Sequence, residues 1–140
     1  MTDTDTRIRN SFGRQGLMDT LGARVERIAP GAVTLTAPIG PAVSQQHGAG
    51  HAGLTFALAD SAAGYSALSL LPEGREVMTV EAKINLLAPA TGERLIARGR
   101  VVRAGRRITV VTAEVAALAD GQETAVALFQ GTMIAVDPPD

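Results

Sequence analysis

The chain contains no cysteine and no tryptophan, and only one tyrosine and three phenylalanines among 140 residues. The missing cysteine excludes disulfides, zinc–thiolate centres and cysteine nucleophiles together. Scarce aromatics leave no stacking platform for single-stranded nucleic acid, and the core has to be built from Ala, Val, Leu and Ile. Charge of one sign is also lacking. The formal net charge is −1, which provides no basic field to draw the chain onto nucleic acid or a membrane surface. The opening "MTDTDTRIRN" has no apolar signal-peptide centre, so a cytoplasmic location is expected. The nearly uncharged run Ala49–Leu71 is interrupted by glycines, serines and Asp60, which reads as a buried helix and not a membrane span. Walker, dinucleotide-binding and GxSxG patterns are absent.

What is present reads as one α+β domain over residues 1–140, with 1–6 and 137–140 expected outside the ordered fold. Hydrophobic residues make up 46% and charged residues 19%, which is a globular composition. Residues 7–20 suit a short helix anchored by Ile8, Phe12 and Leu17. "ARVERIAPGAVTLTAP" reads as a hairpin turning at Pro30-Gly31. The stretch from about His51 to Leu71 is Ala- and Leu-rich, free of proline and apolar on nearly every side, so it predicts a long helix enclosed by protein. Pro72 and Gly74 end it. "EVMTVEAKINLLAP" alternates, with Val77, Thr79, Glu81 and Lys83 on one face and Met78, Val80, Ala82 and Ile84 on the other. Two strands joined near Ala104-Gly105 and a last strand, "ETAVALFQGTMIAV", follow. Sequential strands with short connections imply an antiparallel sheet against which the long helix buries itself.

The chemistry gathers in "QQHGAGHAGLTFALAD", residues 45–60, which holds both histidines. Asp60 interrupts an apolar helix. Either the helix turns it to solvent or a backbone partner, or it is a base or nucleophile whose pKa is raised by desolvation. The glycine-rich run leads into a helix N-terminus, where free N–H groups can meet an anion or developing oxyanion; Gly48 and Gly50 can equally form a simple turn. His47 and His51 stand four apart, but Gly-Ala-Gly between them and the absence of a following glutamate argue against a metal pair. Arg94, Arg98 and Arg100 share strand parity. They form either the solvated face of a sheet or, with Arg106, a contact for substrate phosphates. Tyr65 and Phe56 read as core.

"HGAGHAGLTFALADSAAGYSAL" followed by "VMTVEAKINLLAPA" resembles the hotdog-fold acyl-CoA thioesterases of the phenylacetate-pathway (PaaI-like) type, over about residues 10–136. The resemblance implies an antiparallel sheet wrapped around one long central helix. It also implies hydrolysis of acyl-CoA to free acid and CoA, without metal or cofactor. In that family the aspartate matching Asp60 is the general base or nucleophile. The residue matching Ala52, normally glycine, supplies an oxyanion-hole amide, and Gln45 stands where an asparagine is usual. Thr79 matches the hydroxyl that assists the aspartate, and His51 orients the loop or polarises the carbonyl. His47, Gly48, Gly53, Arg100 and Arg106 are the expected substrate contacts. The family forms homodimers through a continuous sheet, commonly paired into tetramers, with each site drawing on two chains. The rival readings are a non-catalytic acyl-CoA-binding module and a hotdog hydratase or dehydratase.

Overall fold

In the computed structural model, which describes residues 1–140, six strands join one antiparallel sheet. They are β1 (Arg24–Ala29), β2 (Ala32–Pro38), β3 (Glu76–Leu86), β4 (Arg94–Ala104), β5 (Ile108–Ala119) and β6 (Gln122–Val136). Their spatial order is β1-β2-β4-β5-β6-β3. The β1–β2 hairpin turns at Pro30-Gly31 as expected, with Gly31 at φ 73°. The strands after the long helix are not neighbours in simple sequence order. β3 pairs with β6, the last strand, while β4 pairs with β2 and β5. The connection over residues 87–93 therefore carries the chain from one end of the order to its interior, and β3 becomes an edge.

Three α-helices accompany the sheet: α1 (Asp3–Phe12), α2 (Gly16–Thr20) and α3 (Ala52–Leu68). Helix α1 starts inside the segment expected to fray. Thr2 and Asp5 form a reciprocal capping box, which satisfies amides that would otherwise unravel the first turn. Ile8 is fully buried, as its spacing predicts. Leu17 is exposed, however, and Met18 is the anchor of the second helix. The single helix expected over 7–20 is thus two, broken at Gly13–Gln15.

Helix α3 packs on β2 through β6. Its Ala-rich composition has a steric reason. A Cβ on Gly99 of β4 would lie 2.3 Å from the Ala62 carbonyl oxygen, so helix backbone rests directly on strand backbone. Ala59, Ala62 and Ala63 are fully buried at this contact, and Leu54, Leu58 and Leu68 fill the space around it. Ser66 fits the same interface because its hydroxyl donates to the Ala62 carbonyl and accepts the Val33 N–H. The opposite stripe of α3, with Gly53, Phe56, Ala57, Asp60 and Gly64 at three- and four-residue spacing, is left partly or fully open. The helix expected to be enclosed all round is enclosed on one side in the protomer.

Strand β3 departs from strict alternation. Its register with β6 shifts between Thr79 and Glu81, where a bulge inserts Val80. Val77 and Thr79 face α3 before the bulge, and Ala82 and Ile84 pack against the core after it. Glu81 and Lys83 thus lie on the face opposite Thr79, not beside it as alternation predicts. No helix is long and apolar enough to cross a membrane.

Candidate active site

The centre of the open stripe is Asp60. The Thr79 hydroxyl donates to Asp60 Oδ1 at 2.8 Å, across the gap between α3 and β3. The bulge after Thr79 ends a stretch of regular pairing at the point where this side chain turns towards the helix. Partial burial pushes the Asp60 carboxyl above its ordinary value, and the Thr79 hydrogen bond offsets part of that rise. Oδ2 makes no hydrogen bond within the chain, and Asp60 lines a cavity of about 200 Å³. The cavity runs from Asp60 and Thr79 past Gly64 to Ser11, Gln15, Tyr65 and Glu76.

The N-terminus of α3 is a second centre. His51 is the N-cap, and its Nδ1 accepts the Gly53 N–H at 2.7 Å. That bond fixes the tautomer of a neutral His51, leaving the proton on Nε2. The His51 carbonyl accepts the Leu54 and Thr55 amides. Among the first-turn amides only that of Ala52 makes no bond within the chain, so a single N–H at the positive end of the helix dipole is left to a ligand. The preceding loop is rigidly tied: Gln45 N–H donates to the Ala49 carbonyl, Gly50 N–H to Ala90 and His51 N–H to Val43. The Gln45 side-chain oxygen accepts the His47 N–H. Gln45 and Ala52 border a depression of about 410 Å³ together with Thr55, Ala90 and Val126.

The expected site residues therefore fall into groups. Asp60 and Thr79 are joined, and Gln45, His51 and Ala52 are joined at the helix entrance. The two groups stand apart within one chain: eight positions along α3 separate Ala52 from Asp60, a rise of about 12 Å. His47 and Gly48 are on the exposed loop tip, with Gly48 at φ 89°, and Gly53 has its N–H occupied by His51. Arg94, Arg98 and Arg100 are all exposed along β4, as their shared parity predicts. Arg98 pairs with Glu123 at 2.8 Å, and Arg100 borders a depression on the sheet face away from α3. Arg106 lies near Arg75 and Arg107 beside the β4–β5 turn. No group of three or more His, Asp or Glu side chains gathers as a metal site. Ser11, Gln15 and Glu76 line the cavity without having been singled out in the sequence, and Tyr65 is core and cavity wall at once.

The thioesterase superfamily model matches residues 47–124, which include the helix entrance, Asp60 and Thr79. The chain belongs to the thioesterase superfamily. A thioesterase family protein from Silicibacter pomeroyi has 46% identity and a TM-score of 0.94, with 96% of this chain and 99% of that one covered. The PaaI protein of the phenylacetic acid degradation operon of E. coli superposes with a TM-score of 0.86 at 22% identity, covering 95% and 93% of the two chains. A Haemophilus influenzae thioesterase gives 0.83 at 20% identity, over 92% and 88%. Curated proteins gave no match. The sheet and central helix are thus the hotdog fold of these thioesterases, and the chemistry of the superfamily is thioester hydrolysis.

Proposed function

We propose that the protein hydrolyses acyl-CoA thioesters at sites shared between two copies of the chain. The observation that carries this reading is the pair of complementary half-sites. A desolvated carboxylate faces a cavity at mid-helix, and a lone free amide stands at the helix N-terminus, about 12 Å away. That is too far for both to engage one carbonyl, so Asp60 of one chain is completed by the Gln45–Ala52 loop of another. The sheet edges favour the same arrangement. Both edges carry charged residues, but β1 is six residues long, whereas β3 is an eleven-residue edge on which Met78 and Val80 are 60% and 59% exposed. A long edge with exposed apolar side chains suits pairing with a second β3, and a two-fold axis there makes two equal sites.

In the reaction the thioester oxygen accepts the Ala52 N–H, with the Gln45 amide beside it, so negative charge developing on that oxygen is stabilised. Asp60 Oδ2 takes a proton from water as the water oxygen attacks the carbonyl carbon. The C–S bond then breaks, and the proton passes to the departing thiolate. Thr79 holds Oδ1 and keeps Oδ2 turned to the water. Burial makes Asp60 a stronger base than an exposed aspartate. Cytoplasmic operation and pairing of dimers into tetramers complete this proposal.

The test is release of free thiol from a panel of acyl-CoA thioesters by the wild-type protein and by Asp60→Asn. Turnover should fall by about two to four decades in the variant, with acyl-CoA binding retained. Near wild-type turnover would remove Asp60 from the mechanism. A wild-type protein that binds acyl-CoA without releasing thiol would be the binding module, and hydration of an enoyl-CoA would make it a hydratase. Single turnover in heavy-oxygen water should leave Asp60 unlabelled; label in its carboxyl would make it the nucleophile.

A further inference from the structure

Around Asp60 the cavity is lined by Leu68, Val77 and Met133 as well as by polar groups. It ends on a polar wall whose members come from three elements. Tyr65 of α3 is 5% exposed. Its hydroxyl accepts from Gln15 Nε2 at 2.8 Å and shares a hydrogen bond with the Ser11 hydroxyl at 3.2 Å. Ser11 belongs to α1, and Gln15 lies in the break between α1 and α2. The wall is held firmly. Phe12 packs on the Tyr65 ring at 6.0 Å, and Arg7 ties α1 to the Leu71, Pro72 and Arg75 carbonyls.

The wall offers a hydroxyl donor to the cavity. Ser11 and Tyr65 bring one hydroxyl proton each, and the bond between them uses one. The Gln15 bond is donated to the Tyr65 oxygen and uses neither. One hydroxyl proton of the pair is therefore unspent, and both residues line the cavity. Burial raises the Tyr65 phenol pKa further, so the proton stays on the oxygen. The Glu76 carboxylate borders the same space as an acceptor. A hydroxyl can accept from the wall and donate to Glu76. A hydrocarbon end would leave the free donor unpaired. A carboxylate end would face two carboxylates, Glu76 and Asp60. The size is limited too. About 200 Å³ is close to the roughly 150 Å³ cavity that holds benzene, and below the roughly 300–1,000 Å³ of drug-sized pockets.

We propose that Ser11, Gln15 and Tyr65 are specificity residues that select short, uncharged acyl groups whose far end carries a hydroxyl. This rests on the acyl-CoA reading above, because it takes the cavity beside Asp60 as the acyl site.

The probes are pentanoyl-, 5-hydroxypentanoyl- and glutaryl-CoA, which share chain length and differ at the far end. The wild-type protein should favour the hydroxylated thioester over pentanoyl-CoA by about tenfold in kcat/KM and should use glutaryl-CoA least. Tyr65→Phe should reduce the hydroxyl preference. The triple variant Ser11→Ala, Gln15→Met, Tyr65→Phe should abolish it, and Glu76→Gln should raise glutaryl-CoA relative to the other two. A wild-type protein without the hydroxyl preference would overturn the proposal, as would an unchanged ratio in the folded triple variant. If the triple variant does not fold, an unchanged ratio in Tyr65→Phe overturns it. Dissociation constants of the three thioether analogues give a parallel readout that needs no hydrolysis. If none of the thioesters is cleaved, the acyl-CoA hydrolysis reading fails. The wall then stands or falls on binding: a hydroxyl preference lost in the variants supports it, and equal affinities overturn it.

Discussion

The two sides of helix α3 both carry small residues and meet opposite fates. One side presents Leu58, Ala59, Ala62, Ala63 and Ser66 to the sheet, and all five are fully buried. The other presents Gly53, Phe56, Asp60 and Gly64, and no part of the protomer covers it fully. Small residues serve different ends on the two sides. On the packed side they let helix backbone touch Gly99; on the open side Gly64 leaves room for a ligand beside Asp60. A helix that is apolar all round can thus be half core and half candidate active site, and the partner subunit proposed above would cover what the protomer does not.

If that division is right, substitutions on the open side damage rate and those on the packed side damage stability. The largest of these effects after Asp60→Asn should come from Ala52→Pro. Proline is tolerated at the first helical position, and His51 already has φ −62° and ψ 144°, which suit a residue before proline. The change deletes the one free amide and little else. It should lower turnover by about 10²–10³-fold with Tm nearly unchanged. A fully active Ala52→Pro would show that the oxyanion is held elsewhere. On the packed side, Gly99→Ala puts a methyl group against the Ala62 carbonyl. It should cost about 1–3 kcal/mol in denaturant titration, because helix and strand have to separate.

Smaller effects sharpen the same comparison. Thr79→Val removes about one hydrogen bond, about 0.5–1.5 kcal/mol, and should slow turnover by about tenfold. It should also move the pH profile. The base works only when ionised, so activity is present above the Asp60 pKa and lost as pH falls through it. Burial already raises that acid limb, and losing the Thr79 donor moves it higher still. A Thr79→Val profile identical to wild type would assign Thr79 to strand propensity alone. Asp60→Asn should in turn be more stable than wild type near neutral pH. A carboxyl whose folded pKa is raised stabilises the fold fully only below its unfolded pKa, and it loses that contribution as pH rises through the folded value. The gap between the two melting curves should close on acidification.

Local patterns made much of this legible in the sequence. The Pro30-Gly31 hairpin, the uninterrupted Ala/Leu run of α3 and the misplaced charge of Asp60 each follow from a short-range rule. The capping box at Thr2 and Asp5 follows one too; its spacing was there to be read, and it marks the true start of α1. Long-range features were not legible. Nothing local brings β3 beside β6, and no periodicity announces the bulge that puts Thr79 and Ala82 on one face. Ser11, Gln15 and Glu76 join the cavity because α1, the break after it and β3 meet over α3, which is a tertiary event. The site's inventory from Gln45 to Thr79 came through family resemblance. Spacing alone left Asp60 between a buried base and a solvent-facing turn.

Mixing Asp60→Asn with Ala52→Pro tests the shared site most directly. Each parent homodimer should be nearly inactive. After co-refolding, a hybrid dimer has one site with both defects and one with neither, so thiol release should rise well above both parents, towards half the wild-type rate per hybrid. Hybrids confirmed by native mass spectrometry that recover no activity would contradict a site built from two chains.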